Sequence, residues 1–209
     1  ERVSCYIKSL TAYNSDFLEK LREKALEAKV PIIKRETESF LKTFLLLKKP
    51  KRILEVGAAV AYSSLVMAET LEGNVEISTI ENYEKRVLEA RKNIKDSHYS
   101  NIIHLIEEDA SKVLKELVEK EEKYDFIFMD AAKGQYINWL EPVIKLLNKE
   151  GVLCSDNVLQ GGDIVQSRYL IERRDRSIHS RLREYLYELT HREELSTTIL
   201  SLGDGVALT

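Results

Sequence analysis

Two pairs of polar residues directly follow apolar runs that have the length of β-strands. Asp130 and Lys133 come after one run, and Asp156 and Asn157 come after the next run along the chain. The carboxyl ends of adjacent parallel strands are where ligands bind to such sheets. Two carboxylates and an amide oxygen there would form a hard oxygen site suited to Mg²⁺. Aspartates at strand ends can also do no more than cap the following helix.

A second candidate site begins at the loop that follows an earlier apolar run. This loop, residues 57–61, is rich in small residues, and Tyr62 and Ser63 come directly after it. Small residues allow a ligand to approach the backbone, and the start of the next helix offers unpaired N–H groups to an anion. Ser63 could add a hydroxyl group. The alternative interpretation is that the small residues serve only the packing of strand against helix.

Acidic residues follow the next two apolar runs. Glu81 lies 24 residues past Gly57, where a carboxylate can accept hydrogen bonds from both hydroxyls of a ribose. Asp109 and Ala110 follow the third run, where an adenine edge could be recognised. A lone exposed glutamate is usually only a solvated charge. Its combination with the small-residue loop favours a nucleoside-containing ligand.

The elements that would position these residues alternate between strand and helix. Strands are predicted at 52–56, 75–80, 102–106, 124–129 and 151–155, with helices through Leu71, from Tyr83, over 111–121 and over 136–148. This order predicts an α/β fold with a doubly wound parallel sheet.

The two ends of the chain differ from this alternating region. Residues 1–49 are predicted to be a helical extension, with a second helix over 37–47 and apolar residues at a helical period in the first, namely Phe17, Leu18, Leu21, Ala25 and Leu26. A long polar helix is predicted from Gly162 to Leu189. The segments 197–200 and 206–208 are predicted to form an antiparallel hairpin at the end of the sheet.

Composition narrows the class of protein further. The chain has 209 residues and a net charge of −3, which fits one domain over 1–209 and gives no bulk sign of nucleic-acid binding. Cys5 and Cys154 do not form a disulfide framework, so we expect a reducing, cytoplasmic location. No stretch approaches the about 20 apolar residues that a membrane span requires, and we expect no membrane partner.

These motifs resemble the cation-dependent O-methyltransferases, the family of catechol and caffeoyl-CoA O-methyltransferases. The resemblance runs from about Val30 to Leu208. The family's E-x-G-x-x-x-G-Y-S loop, its acidic ribose binder, its D-x-x-K stretch and its D-N pair are matched by Glu55, Gly57, Tyr62, Ser63, Glu81, Asp130, Lys133, Asp156 and Asn157. The departure is Ala61, which stands where the family usually has glycine.

The resemblance implies a Rossmann-like class I methyltransferase fold with a seven-stranded, mostly parallel sheet. It implies S-adenosylmethionine and Mg²⁺ or another divalent cation as cofactors, with Asp130, Asp156 and Asn157 as metal ligands. Lys133 would be the general base, and Asp130 would share the catalytic centre. The predicted cofactor-binding residues are Glu55, Gly57, Ala59, Tyr62, Ser63, Glu81, Asp109, Ala110 and Asp130.

The choice of acceptor depends on the segment after the D-N pair. Residues 168–183 contain six arginines and two acidic residues, although the whole chain is acidic. Arginine suits phosphate, although an arginine-rich helix face can also be merely solvated. Within the family, the chain is most similar to the bacterial enzymes that methylate 5-hydroxyuridine at the wobble position of tRNA. The similar segments are 30–32, 156–159, 173–176 and 203–208.

The predicted function is therefore methylation of 5-hydroxyuridine at tRNA position 34 to 5-methoxyuridine. Arg173, Arg174 and Arg176 are predicted to contact the anticodon loop. One alternative is an O-methyltransferase of small catechols, because a catechol also offers two vicinal oxygens. Another is a non-catalytic RNA-binding module. A homodimer with the N-terminal helices near its interface is also expected, from the apolar side chains of residues 6–26 and from the resemblance.

Overall fold

The structure is a computed structural model that describes residues 2–209, apart from the side chains of residues 3–5 and 8. The prediction for the Cys5 thiol therefore lies outside the described residues, whereas Cys154 is a buried free thiol. Two compact units can be distinguished, residues 1–110 and residues 111–209, and each is described in turn.

The first unit contains the N-terminal helices and three strands. Its elements are α1 (Arg2–Leu10), α2 (Asp16–Glu27), α3 (Arg35–Lys48), β1 (Arg52–Val56), α4 (Tyr62–Thr70), β2 (Glu76–Ile80), α5 (Glu84–Asp96) and β3 (Ile103–Ile106). The strands β1, β2 and β3 pair in parallel in that order. Each predicted strand and helix of this region is confirmed to within a few residues.

The second unit contains four strands and three helices. Its elements are α6 (Ala110–Glu119), β4 (Tyr124–Met129), α7 (Tyr136–Leu146), β5 (Leu147–Asp156), α8 (Arg176–His191), β6 (Thr198–Leu200) and β7 (Val206–Leu208). The strands β4 and β5 are parallel, whereas β7 is antiparallel to both β5 and β6. The prediction placed the end of α7 and the start of β5 too late, because the chain turns directly from helix to strand at Leu147.

The seven strands form one sheet in the order β3-β2-β1-β4-β5-β7-β6. The predicted seven-stranded, mostly parallel Rossmann-like sheet with a C-terminal antiparallel hairpin is therefore confirmed. The central strands are buried on both faces, as in β4, where Phe126, Ile127, Phe128 and Met129 are fully enclosed. Burial on both faces explains why these strands are continuous apolar runs rather than alternating ones.

The apolar residues of α2, which recur at a helical period, form part of its buried face. Ser15 caps it by accepting a hydrogen bond from the Leu18 N–H group. Leu18, Leu21 and Ala25 are buried, as their spacing predicts. Phe17 and Leu26 belong to the same apolar set but are exposed, so the buried stripe is narrower than the sequence pattern.

The segment between β5 and α8 corrects the predicted long helix. Only Arg176–His191 is α-helical, and the preceding residues form two short 3₁₀ turns, Gln160–Val165 and Arg168–Leu170. Gly161 and Gly162 have positive φ values of 63° and 106°, which a right-handed helix does not accommodate. Separately, no helix among residues 2–209 is long and apolar enough to span a membrane.

Candidate functional site

Backbone hydrogen bonds to β2 fix the small-residue loop of the first unit. The N–H groups of Gly57 and Ala58 both donate to the Ile80 carbonyl, at 3.1 and 2.9 Å. Gly57 has a φ of 103°, and the chain then turns through Ala59 and Ala61, whose φ values are 46° and 62°. Ala61 therefore adopts the left-handed conformation that glycine usually supplies, and α4 begins immediately after it.

Glu81 lies beside this loop because Val56 and Ile80 are paired residues of β1 and β2. Its carboxylate accepts the N–H group of Ala59 at 2.8 Å through one oxygen. The other oxygen accepts the N–H groups of Asn82 and Tyr83, each at 3.0 Å. A carboxylate has about four lone-pair sites, so these three bonds orient Glu81 and leave capacity for a ligand hydroxyl.

Glu55 and Tyr62, two other residues of the predicted cofactor set, are buried and point into the protein. Glu55 accepts hydrogen bonds from the hydroxyls of Ser64 and Thr79, so its side chain joins β1, α4 and β2. The Tyr62 hydroxyl donates to Glu38 at 2.7 Å. Burial and the neighbouring Glu38 carboxylate raise the pKa of Tyr62, which keeps this hydroxyl protonated. The loop backbone and Ser63 are therefore the candidate ligand contacts that remain in this part of the site.

Asp109 and Ala110 lie at the end of β3, next to β2. Asp109 is exposed, and one of its carboxylate oxygens lies 3.4 Å from the Asn82 side-chain amide. Ala110 is the first residue of α6. The first unit thus brings Glu81 and Asp109 to neighbouring strand ends, with Asn82 joining them, as the sequence predicts.

The second unit brings together Asp130, Lys133, Asp156 and Asn157. Met129 pairs with Ser155, so Asp130, directly after β4, and Asp156, the last residue of β5, lie at the same level. The Lys133 ammonium lies 3.0 Å from one carboxylate oxygen of Asp130. The Asn157 N–H group donates to the Asp156 carboxylate at 2.8 Å. The residues predicted to form the catalytic and metal site therefore share one location.

The electrostatics of Asp156 fit a cation at this place. Burial first, and then the charge of Asp130, raise the pKa of Asp156 to about 7. The Asn157 N–H group and Lys133 oppose that rise, whereas Asp204 adds to it. No group of three or more His, Cys, Asp or Glu side chains suited to a metal occurs among the described residues. The ligands that the resemblance implies are instead two carboxylates and one amide, which would form a hard oxygen set suited to Mg²⁺ with retained water.

Three residues that the sequence analysis missed hold this site together. The Tyr136 hydroxyl is buried within hydrogen-bond distance of the carbonyls of Met129 and Asp156, at 2.9 and 3.2 Å. The Tyr185 hydroxyl lies 2.6 Å from that of Ser155. The third residue, Asp204, accepts from the Asn157 amide at 3.3 Å. Asp204 stands between two glycines of the hairpin turn, and this setting is the one local sign in the sequence of a functional role.

The arginine-rich segment divides into structural and exposed members. The Arg176 guanidinium donates to the carbonyls of Ile171 and Tyr169 at 3.0 and 3.3 Å, so it fixes the preceding turn. Arg174 is exposed and lies 3.0 Å from Glu172. Arg173 is also exposed. The predicted RNA-binding set is therefore close in space, but one member already has a structural role.

Comparisons with known proteins agree with this architecture. The profile of the O-methyltransferase family matches residues 8–209. A catechol O-methyltransferase from Niastella koreensis is 30% identical over 79% of this chain and 76% of its own length. A caffeoyl-CoA O-methyltransferase from Populus kitakamiensis is 26% identical over 100% of this chain and 92% of its own length.

Solved structures give the same result. A methyltransferase from Podospora anserina with bound S-adenosylhomocysteine is 26% identical, has a TM-score of 0.87, and covers 99% of this chain and 92% of its own. A Staphylococcus aureus protein provisionally named a caffeoyl-CoA O-methyltransferase is 30% identical with a TM-score of 0.91, over 100% of this chain and 98% of its own. The chain belongs to the O-methyltransferase family and is an S-adenosylmethionine-dependent methyltransferase.

Proposed function

We propose that the protein methylates a hydroxyl group that has a second oxygen next to it, with a divalent cation held by Asp130, Asp156 and Asn157. The observation that supports this most directly is the placement of both carboxylates and the Lys133 ammonium at the ends of β4 and β5. A bound divalent cation lowers the pKa of a coordinated hydroxyl. Binding through two oxygens would select acceptors that carry vicinal oxygen atoms.

Lys133 is proposed as the general base. Asp130 fixes its side chain by the 3.0 Å ion pair, which holds the nitrogen beside the proposed metal ligands. In its neutral form Lys133 takes the proton of the acceptor hydroxyl. S-adenosylmethionine, when bound, would supply the electrophilic methyl group, and the acceptor oxygen would bond to its carbon as the carbon–sulfur bond breaks, which would leave S-adenosylhomocysteine. Holding both reactants in line would supply much of the acceleration.

The cofactor is proposed to bind along the first unit. Glu81 would accept the ribose hydroxyls, because its carboxylate is already oriented by three N–H groups. Asp109 and Ala110 would lie near the adenine, and the backbone of Gly57 and Ala59 together with Ser63 would face the rest of the molecule. Glu55 and Tyr62 would support the loop from behind rather than touch the cofactor.

We propose 5-hydroxyuridine in the anticodon loop of tRNA as the acceptor. Its 5-hydroxyl group and adjacent carbonyl oxygen supply the two vicinal oxygens. The exposed Arg173 and Arg174 come after β5, the strand that ends at Asp156, in the sequence. They could pair with phosphates on either side of the target base. An unstacked loop base can enter a pocket, which is the usual route of sequence-specific RNA recognition.

The acceptor is tested by replacing Arg173 and Arg174 together with alanine. Arg176 is left intact because it fixes the turn. The double variant should lose activity on tRNA that carries 5-hydroxyuridine, show a shallower salt dependence of tRNA binding than the wild type, and keep activity on a free catechol. Arg91→Ala, which removes an exposed arginine of the first unit, is the control for a general loss of charge. Unchanged tRNA activity in the double variant would reject the role of these arginines, and a wild-type protein without activity on this tRNA would reject the tRNA assignment.

A small catechol is the second candidate acceptor. The relative from Niastella koreensis is named a catechol O-methyltransferase, and it is 30% identical to this chain. A catechol has the same pair of vicinal oxygens but no phosphate. Turnover of catechol that is insensitive to both salt and the arginine substitutions, without turnover of tRNA, would establish this candidate.

We also propose that two copies of the chain associate through the N-terminal region. Tyr6, Leu10 and Tyr13 are 65%, 66% and 82% exposed, which is unusual for large apolar side chains so close in sequence. Tyr6→Ser with Leu10→Ser should convert a dimer into a monomer in light scattering. A wild-type monomer at micromolar concentration would exclude the proposal.

A further inference from the structure

A buried carboxylate in the first unit collects four donors from four different parts of the chain. Glu38, in α3, is 1% exposed. One oxygen accepts from the Tyr62 hydroxyl at 2.7 Å and from Arg22 at 3.2 Å. The other accepts from Asn14 at 2.7 Å and from Arg35 at 3.1 Å. Every acceptor site of this carboxylate is therefore used inside the protein.

This cluster is not explained by stability alone. A buried ion pair repays the desolvation of its charges only with very good geometry, so such pairs are weak evidence for stabilisation. An apolar α3 face could pack against α4 without burying Glu38 and Arg22. The member that connects the cluster to the candidate site is Tyr62, because it is the first residue of α4 and directly follows the small-residue loop.

The loop itself needs an external restraint. Ala59 and Ala61 both have positive φ values, 46° and 62°, a conformation that is unfavourable for a residue with a β-carbon. Such conformations persist only where the surroundings over-determine them. On one side, the Ala59 N–H group donates to Glu81 at 2.8 Å. On the other side, the Tyr62 hydroxyl donates to Glu38.

We propose that Glu38 is a positioning residue for the cofactor, acting through Tyr62 to keep residues 59–62 in the conformation that binds it. The inference rests on the proposed cofactor site at this loop. Glu38 does not touch the cofactor in this arrangement. Its effect is to fix the start of α4, and with it the backbone N–H groups that the loop presents.

The same carboxylate connects the loop to the segment between α1 and α2. Asn14 donates to Glu38, and its side-chain oxygen accepts from Lys42 at 2.7 Å. The next residue, Ser15, donates to Glu69 of α4 at 2.6 Å. Order in residues 11–15 and order in the cofactor loop are therefore linked. Because linkage is reciprocal, cofactor binding should also stabilise this segment.

The first test measures the affinity for S-adenosylhomocysteine by calorimetry, which needs no acceptor. Tyr62→Phe keeps the ring and removes only the hydroxyl. We expect affinity to fall about tenfold, the lower end for losing a hydrogen bond to a charged group. Glu38→Gln should weaken binding in the same direction. Unchanged affinity in both folded variants would overturn the proposal.

Tyr124→Phe is the matched control. Tyr124 is also a buried tyrosine, but it is the first residue of β4 in the other unit, at the end of that strand away from the candidate site. If Tyr62 were only structural, both variants would lower the melting temperature and neither would change the affinity. A wild-type protein that bound no S-adenosylhomocysteine would reject the cofactor site itself. Wild-type binding with an equal Tyr62→Phe affinity would reject only the role of Glu38.

Hydrogen exchange tests the linkage separately. Saturating S-adenosylhomocysteine should slow the exchange of the amides in residues 11–15 of the wild-type protein. The same saturation should give Tyr62→Phe much less protection, because the connection from the loop to Asn14 passes through Tyr62 and Glu38. Equal protection in the two proteins would overturn the proposed connection.

Discussion

The carboxylates of the two units have opposite surroundings. In the first unit, Glu38 and Glu81 each accept at least three hydrogen bonds from N–H or O–H groups. In the second unit, burial first, and then the like charges of Asp130 and Asp204, raise the pKa of Asp156. The protein itself supplies the hydrogen-bond donors that surround Glu38 and Glu81. The site in the second unit has one nearby cation, Lys133, beside three acidic side chains, and a bound divalent cation would offset the remaining negative charge.

This difference distinguishes a carboxylate that organises the protein from one that is ready for a ligand. Both Glu38 and Asp156 are almost fully buried, so burial alone does not separate them. The identity of their neighbours does, because hydrogen bonds and opposite charges favour the ionised form whereas like charges oppose it. The following predictions test this contrast, beginning with the largest expected effect.

Asp156→Ala should reduce methyl transfer by about a hundredfold or more, since even partners one shell beyond a metal's ligands typically contribute about 10–100-fold. The fold should persist, because the substitution removes a charge that lies near two other acids. Steady-state turnover measures the effect, and treatment with EDTA should reproduce it in the wild-type protein. Asp163→Ala, at an exposed position after the same strand, is the control. Full activity in EDTA would contradict the need for a cation.

Glu81→Ala should weaken cofactor binding by about 1.5–3 kcal/mol, the range for hydrogen bonds to a charged group. The substitution also removes the partner of the Ala59 N–H group, so the loop loses one of its restraints. Calorimetry with S-adenosylhomocysteine measures the loss. Glu84→Ala, an exposed glutamate three residues further along, should bind normally. An unchanged affinity in Glu81→Ala would remove this residue from the site.

The pH dependence of stability should reveal the excess of negative charge in the second unit. The folded-state pKa of Asp156 is raised from 3.8 to about 7, so the native protein holds this proton more tightly than the unfolded chain does. Its contribution therefore becomes less favourable as the pH rises from about 4 to about 7. In cation-free buffer, Asp156→Asn should gain melting temperature relative to the wild type across that window. A difference that does not vary with pH would contradict this assignment.

Ala61→Gly should have the smallest effect. Glycine adopts a φ of 62° without the penalty that alanine has, although it loses more backbone entropy on folding. We expect the free energy of unfolding to rise by up to about 1 kcal/mol, with unchanged or tighter cofactor binding. Ala68→Gly, inside α4, should instead destabilise by about 1 kcal/mol. Destabilisation by both substitutions would show that Ala61 is not strained.

Local patterns in the sequence predicted the strands, the helices that alternate with them and the residues at the strand ends. Buried parallel strands must be apolar runs, and ligand-binding residues must follow them. Both features can therefore be recognised in the sequence. The prediction of a helix in the segment before α8 was wrong, because polar composition alone does not distinguish a helix from short turns. In that segment Gly161 and Gly162 have positive φ values, which a right-handed helix does not accommodate.

The sequence by itself thus determined the O-methyltransferase architecture and the candidate metal and cofactor residues. Tertiary structure alone decided that Tyr62 and Glu55 face inward, that Arg176 fixes a turn, and that the Tyr62 hydroxyl donates to Glu38. Glu38 lies 24 residues before Tyr62, and Asp204 lies 47 residues after Asn157. No local period relates residues so far apart. Their contacts exist only because separate elements pack together, and packing also decides which charges are matched by a partner.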